Sequence, residues 1–169
     1  VIAHYGRLDA LVNNASSFFP TAMGEIDEAA WLDLIGSNLK APLFLAQAAN
    51  PWLQAAQGAI VNITDIHAER PLKNYPLYCA AKAGLAMLTQ VAALELAPRN
   101  IRVNAVSPGF VETPLTAQNT HPMPALITPE RAAAEILQGW ARGAFETHFP
   151  RRFTCWMNTL RLLPYRAFF

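Results

Sequence analysis

The sequence has few cysteines and little charge. Only 2 of its 169 residues are cysteine, Cys79 and Cys155, too few for a disulfide framework. No neighbouring Cys and His residues have metal-ligand spacing, so we expect no metal site and a reducing compartment, the cytoplasm. With 13 Lys and Arg against 12 Asp and Glu, the net charge of +1 offers no overall electrostatic surface for nucleic acid.

The sequence also lacks long apolar runs and targeting signals. Prolines and polar residues interrupt every apolar stretch well short of the ~18 residues of a transmembrane helix. Residues 1–5 have no basic leader, so no signal peptide is predicted. Disorder is excluded because 53% of the residues are hydrophobic. Because Val1 stands where an initiator methionine is expected, we also consider that the chain is a fragment.

Apolar periodicity predicts alternating strands and helices, which is typical of an α/β protein with a parallel sheet covered on both faces. Pro42 and Pro51 should bend or break the first long helix. A cap at Thr128 and a proline at the first helical position open the last helix. The predicted strands are residues 8–13, 59–64, 101–106 and the edge strand 144–149, and the predicted helices are residues 27–56, 76–96 and 128–142.

The composition changes near residue 107. Seven of the 13 prolines lie from Pro108 onward, and residues 130–169 contain six Arg against three Glu. We predict a main domain over residues 1–148 and a basic, amphipathic tail over residues 149–169. The tail is expected to pack as a terminal helix with its Arg side chains in water, and contact with a membrane surface is the alternative.

Tyr78 and Lys82 are four residues apart on a predicted helix, so they share one face. A phenol that exchanges protons near neutral pH needs a cation nearby, and Lys82 could supply that charge. Asp65 ends a predicted strand at the edge where open α/β sheets bind ligands. Asn13 ends another strand at that edge, and Asn38 lies near Pro42, where a broken helical ladder can expose a carbonyl that holds a water.

Together these residues resemble the short-chain dehydrogenase/reductase family. The motifs are Asn13-Asn14-Ala15, the helical Asn38, Tyr78-x-x-x-Lys82 and Pro108-Gly109-x-Val111-x-Thr113. The resemblance implies a three-layer α/β/α fold with a doubly wound, Rossmann-type parallel sheet, here partial because the N-terminal β-α-β units are missing. It also implies an NAD(P)-dependent oxidoreductase that forms homo-oligomers through helices 27–56 and 76–96.

The resemblance assigns roles to individual residues. It implies a catalytic set in which Tyr78 is the general acid, Lys82 lowers its pKa and binds the nicotinamide ribose, and Asn38 supports a proton-relay water. Asp65 stands where the family usually has serine and completes the set. The residues implied to contact the cofactor are Asn13, Ala15, Ser16, Thr64, Tyr78, Lys82, Pro108, Gly109, Val111 and Thr113.

Asp65 and the segment Ser16-Ser17-Phe18-Phe19-Pro20 resemble the pteridine reductase branch of that family. In that branch the residue matching Phe18 stacks on the pterin, and the aspartate acts with the tyrosine, so Phe18, Asp65 and Tyr78 are the expected substrate contacts. Core packing is the alternative role of Phe18. The implied function is NADPH-dependent reduction of dihydropterins or dihydrofolate, with NADH not excluded.

Two departures keep other functions open. The family's Gly-rich phosphate loop is absent, since neither Gly-x-x-x-Gly-x-Gly nor Gly-x-Gly-x-x-Gly occurs in the chain. The segment after Phe110 resembles a different reductase subgroup, as expected for a chimera or a divergent member. The alternatives are therefore a general carbonyl or alcohol oxidoreductase and a non-catalytic fragment or subunit.

Overall fold

The computed structural model describes residues 1–113, 116–118, 123–143 and 146–149. The chain divides into two compact units, Val1–Val106 and Ser107–Phe169, close to the change in composition. The predicted tail, residues 149–169, lies outside the described residues except for Phe149. Its predicted helix and membrane contact therefore stay predictions.

The first unit begins with a short helix, α1 (Ile2–Tyr5), and contains three parallel strands. The strands are β1 (Ala10–Asn13), β2 (Ala59–Ile63) and β3 (Arg102–Pro108), of which β3 continues two residues beyond Val106. They pair in the order β1-β2-β3, with Ala10 opposite Ala59 and Ile60 opposite Val103. The predicted parallel α/β sheet is confirmed, and each strand begins or ends within two residues of its predicted bounds.

Gly58 permits a close backbone crossing at the start of β2. A Cβ atom there would lie 2.5 Å from the carbonyl oxygen of Asp9 and 2.9 Å from Leu53 Cδ2. The amide of the next residue, Ala59, donates to that same Asp9 oxygen at 3.0 Å. Glycine is therefore required where β2 first meets the segment that leads into β1.

The first long helix is interrupted before Pro42, and the break predicted at Pro51 is absent. It consists of α2 (Glu28–Ile35), a π-helical turn (Gly36–Lys40) and α3 (Ala41–Ala56). Asp27 caps α2 by accepting a hydrogen bond from the amide of Ala30 at 2.7 Å. Pro42 lies in the first turn of α3, where a missing amide is tolerated, whereas Pro51 lies inside α3 without ending it.

The second long helix, α4 (Pro76–Leu96), has the bounds that the sequence predicts. It is followed by a 3₁₀ turn, Ala97–Arg99, and a second 3₁₀ turn, Ile66–Ala68, precedes it. The segment Pro76–Arg99 is long and apolar enough to cross a membrane by length and composition, a test that core helices of soluble proteins also pass. α4 buries Tyr78 and Lys82 and packs against β2, as a core helix does.

Buried polar side chains link β1, β2 and α4. Asn13 Nδ2 donates to Asn62 Oδ1 at 2.7 Å, and Asn62 Nδ2 donates to Thr89 Oγ1 at 2.9 Å. All three residues are buried, so these bonds satisfy groups that would otherwise be costly to remove from water. The apolar core beside them includes Leu53 and Ile60.

The second unit contains α5 (Pro129–Ala141), β4 (Glu146–Phe149) and a 3₁₀ turn, Thr116–Gln118. Thr128 Oγ1 accepts a hydrogen bond from the amide of Arg131 at 3.3 Å, so the predicted cap is confirmed. The predicted edge strand is also present, and Gly109 N donates to the carbonyl of Phe149 at 3.1 Å.

Candidate active site

Tyr78 and Asp65 form a hydrogen-bonded pair at the carboxyl end of β2. Tyr78 lies in the first turn of α4, and its hydroxyl donates to Asp65 Oδ2 at 2.8 Å. The other carboxyl oxygen, Oδ1, accepts from the amide of His67 at 2.8 Å, which caps the turn after β2. The strand end and the helix start thus bring together the two groups that the sequence places in one site.

Lys82 lies one helical turn after Tyr78 and is almost fully buried, with 4% of its surface exposed. Its ammonium donates to the carbonyl of Ile63 at 2.9 Å and lies 5.6 Å from the centre of the Tyr78 ring. An ammonium has three donors. The bond to Ile63 fixes its position at the end of β2 and leaves donors for hydroxyl groups of a ligand.

The pKa of Tyr78 is raised well above its ordinary value. Burial is the main cause, followed by the negative charge of Asp65 and the hydrogen bond to it. This differs from the expectation that Lys82 lowers the pKa, because the Asp65 carboxylate touches the phenol while the ammonium does not. Burial also lowers the pKa of Lys82, with Asp65 opposing the shift. The arrangement keeps Tyr78 a protonated donor.

Asn38 lies in the π-helical turn and is 1% exposed. Its Nδ2 donates to the carbonyls of Ser17 and Leu34, both at 3.0 Å, and its Oδ1 accepts from Ser16 Oγ at 2.6 Å. The side chain thus attaches the loop after β1 to the helix. These bonds engage the Nδ2 donors of Asn38 and one of the two acceptor positions of its Oδ1.

Phe18 lies next to Tyr78 in an aromatic cluster. The rings of Phe18 and Tyr78 meet edge to face with centroids 4.8 Å apart. Tyr75 stacks on Phe18 with centroids 4.7 Å apart and planes 15° from parallel. The sequence analysis did not single out Tyr75, although an aromatic residue just before the helix that carries Tyr78 is a usable signal.

Thr64 and Asn13, two other predicted cofactor contacts, lie at the ends of β2 and β1. Thr64 Oγ1 donates to the carbonyl of Val106 at 3.0 Å and is occupied there. Asn13 Oδ1 is buried and has no hydrogen-bond partner among the described residues. A buried acceptor of this kind at the carboxyl edge of the sheet fits a ligand that brings an N–H or O–H donor.

The remaining predicted cofactor contacts have different surroundings. Ala15 and Ser16 are exposed on the loop after β1. The other predicted contacts belong to the second unit and are Pro108, Gly109, Val111 and Thr113. Among the residues described here, no group of three His, Cys, Asp or Glu side chains could hold a metal ion.

The chain is similar in sequence to known oxidoreductases. A family model described as enoyl-(acyl carrier protein) reductase matches residues 1–139. The chain is 40% identical over 146 residues to a 3-oxoacyl-acyl-carrier-protein reductase of Thermotoga maritima, covering 86% of this chain and 56% of the relative. It is 42% identical over 132 residues to pteridine reductase 1 of Leishmania tarentolae, covering 66% of this chain and 46% of the relative.

Solved structures agree with the sequence matches. A crystal structure of acetoin dehydrogenase from Salmonella typhimurium superposes with a TM-score of 0.64 at 35% identity, over 71% of this chain and 47% of that one. The chain spans about half the length of the curated relatives it matches. The fold is a partial Rossmann-type sheet of the kind these oxidoreductases share. The chain belongs to the short-chain dehydrogenase/reductase family.

Proposed function

We propose that the protein is an NAD(P)H-dependent reductase of pterins that uses Tyr78 as its proton donor. The observation that carries this proposal is the 2.8 Å hydrogen bond from the Tyr78 hydroxyl to Asp65. The ring of Tyr78 also contacts the ring of Phe18. These contacts place a proton donor, a carboxylate and an aromatic ring side by side. A pterin needs all three, because it is flat, has amino and ring N–H donors, and gains a proton on reduction.

Tyr78 suits proton donation to a ring nitrogen or a carbonyl oxygen. A phenol is already protonated at neutral pH, and burial and Asp65 raise the pKa of Tyr78 further, so the hydroxyl is present as a general acid that gives up its proton only as negative charge develops on the substrate. When the proton leaves, Lys82 lies one turn away and stabilises the phenolate that forms. The hydrogen bond from Ser16 to Asn38 fixes the π-helical turn Gly36–Lys40. A water bound at this turn is expected to bring the next proton to Tyr78.

Asp65 supports a heterocyclic substrate over a simple ketone. A carboxylate offers about four acceptor positions, and those used here are one for Tyr78 and one for His67. The remaining positions can accept hydrogen bonds from an amino group and a ring N–H together. The serine that the family usually has at this position offers a single hydroxyl, which suits a carbonyl oxygen.

Phe18 and Tyr75 supply a flat aromatic surface beside the proton donor. Phe18 is half-buried, so its ring packs against the protein and still borders the site. Aromatic rings prefer offset stacking on other flat rings. A pterin that stacks against this surface would lie within reach of Tyr78, with Asp65 binding its edge.

A bound nicotinamide cofactor would supply the hydride in this family of reactions. The buried acceptor of Asn13 and the spare donors of Lys82 fit the nicotinamide-ribose end of such a molecule. The chain has no Gly-rich loop for the pyrophosphate. We propose NADPH, with NADH as the alternative, and this preference is supported only by the resemblance to pteridine reductases.

A general carbonyl or alcohol oxidoreductase is the second candidate function. It is favoured by the similarity to an acetoin dehydrogenase and to a trans-4-hydroxycyclohexanecarboxylate dehydrogenase of Sinomonas cyclohexanicum, 41% identical over 116 residues. In that case Asp65 only replaces serine. A non-catalytic subunit remains the third candidate, because the chain contains no phosphate loop.

We also propose that the protein is a cytoplasmic homo-oligomer. α3 and α4 expose large apolar side chains, and a second copy of the chain could cover both helices. On α4 these residues recur every three or four positions, which forms one stripe. The exposed residues are Leu43, Phe44, Leu45 and Trp52 on α3 and Met87, Val91 and Leu94 on α4.

A substrate panel tests the proposed function. The full chain is assayed for oxidation of millimolar NADPH with dihydrobiopterin, dihydrofolate, acetoin and cyclohexanone, beside Asp65→Ser and Phe18→Leu. We expect pterin turnover that both substitutions reduce by about tenfold or more, while Glu28→Ala, an exposed change on α2, has no effect. Turnover of ketones alone, or pterin turnover unchanged in Asp65→Ser, would refute the pterin assignment.

A further inference from the structure

A cluster of hydrogen bonds joins the loop after β1 to the end of α2. Ser17 Oγ donates to Asp33 Oδ1 at 2.5 Å, and the Ser17 amide donates to Ser37 Oγ at 3.3 Å. Ser37 Oγ in turn donates to the backbone carbonyl of Asp33 at 2.8 Å. Ser17 is therefore held to the helix by both its side chain and its backbone.

The residue after Ser17 is Phe18, the proposed substrate platform. Its ring is fixed on one side by Tyr75 and meets Tyr78 edge to face. Because adjacent residues share a peptide plane, a shift of Ser17 moves Phe18 relative to Tyr78. The bond to Asp33 holds the Ser17 side chain, whereas Ser37 and Asn38 bond to its backbone.

We propose that Asp33 is a positioning residue, which fixes the Phe18 ring beside Tyr78 by holding Ser17. The effect on substrate rests on the proposed function. Asp33 is exposed, but its carboxylate accepts a charge-assisted hydrogen bond, which is stronger than one between neutral groups. The Ser37 hydroxyl is held by the Asp33 backbone, which every substitution retains, and the Ser17 carbonyl also accepts from Asn38, so Asp33→Ala removes only the side-chain tie of Ser17.

Ring chemical shifts of Phe18 test this role without any turnover. The full chain is labelled at phenylalanine, and the Phe18 signals are assigned by their loss in Phe18→Leu. In Asp33→Ala and Ser17→Ala we expect these signals to move toward the values of an unstacked ring. Asp33→Asn should keep them in place, because its amide oxygen accepts the same hydrogen bond, and Glu28→Ala is the control on the same helix.

Steady-state kinetics give the second readout. With any substrate that the chain reduces, Asp33→Ala should raise KM about fivefold, the factor for one lost hydrogen bond, at nearly unchanged kcat. Unmoved Phe18 signals in both Asp33→Ala and Ser17→Ala, or a fall in kcat at constant KM, would overturn the proposal. If no substrate is reduced, the proposed function fails, and the Phe18 signals still decide the role of Asp33.

Discussion

The phenol of Tyr78 has two neighbours of opposite charge, and the negative one, Asp65, together with burial holds it in its protonated form. Asp65 accepts the phenolic hydrogen bond at 2.8 Å, whereas the Lys82 ammonium is directed to the carbonyl of Ile63. In a reductase this balance is useful, since the reaction consumes a proton. Oxidation in the reverse direction would need the phenolate, which the carboxylate opposes.

This arrangement predicts how Tyr78 titrates. Asp65→Asn removes the negative charge, so the pKa of Tyr78 should fall toward its ordinary value. We expect ¹³C-tyrosine spectra to show Tyr78 ionising at lower pH in Asp65→Asn than in the unchanged chain, with the Tyr78 signal assigned by its loss in Tyr78→Phe. Equal titration of Tyr78 in both chains would contradict this account.

The same shift has a consequence for stability at alkaline pH. A pKa that folding raises contributes stability that is complete below the unfolded value, about 10 for tyrosine, and is lost as the pH rises toward the folded value. The urea midpoint should therefore fall above about pH 10. In Tyr78→Phe, which has no phenol to ionise, the fall should be smaller, and an equal fall in both chains would count against the shift.

The sequence predicted best the helices whose first residues are determined by a nearby proline or capping side chain. Pro76 opens α4, and Thr128 caps α5. The π-helical turn Gly36–Lys40 was not predicted, because it accompanies bonds from Asn38 to a loop some twenty residues earlier. The stack of Tyr75 on Phe18 depends in the same way on two loops meeting, which neither local sequence encodes.

A substitution at Gly58 tests the close packing at the start of β2. Gly58→Ala would place its Cβ 2.5 Å from the Asp9 carbonyl oxygen, so the β1-β2 region must shift. We expect a loss of about 1–3 kcal/mol in the free energy of unfolding, measured with urea. Gly36→Ala, whose Cβ meets no atom within 4 Å, is the matched control and should be neutral or up to about 1 kcal/mol stabilising.

For the whole molecule, sequence motifs placed Tyr78, Lys82 and Asp65 in one site, and the fold brings these three together at the end of β2. Motifs could not predict the pKa shift of Tyr78, because burial and the distance to Asp65 determine it. Nor could motifs reveal that the Asn38 side chain is hydrogen-bonded to Ser16 and Ser17. The chain spans about half the length of the relatives it matches.

Self-association is the prediction that belongs to the whole chain. Leu94 is 79% exposed and Met87 59% exposed on the apolar stripe of α4. Such side chains favour burial against a second copy. Sedimentation should show an oligomer for the unchanged chain and a smaller species for Met87→Glu with Leu94→Glu, while Gln90→Glu serves as the charge control. A monomeric unchanged chain would disprove the proposed interface.

The most direct test of the account is a single rate. Dihydropterin-dependent oxidation of millimolar NADPH is measured for the full chain and for Tyr78→Phe, with circular dichroism confirming that both are folded. Loss of the general acid should reduce kcat by about 10²- to 10⁴-fold. Undiminished turnover in Tyr78→Phe would contradict the assignment of Tyr78 as the proton donor.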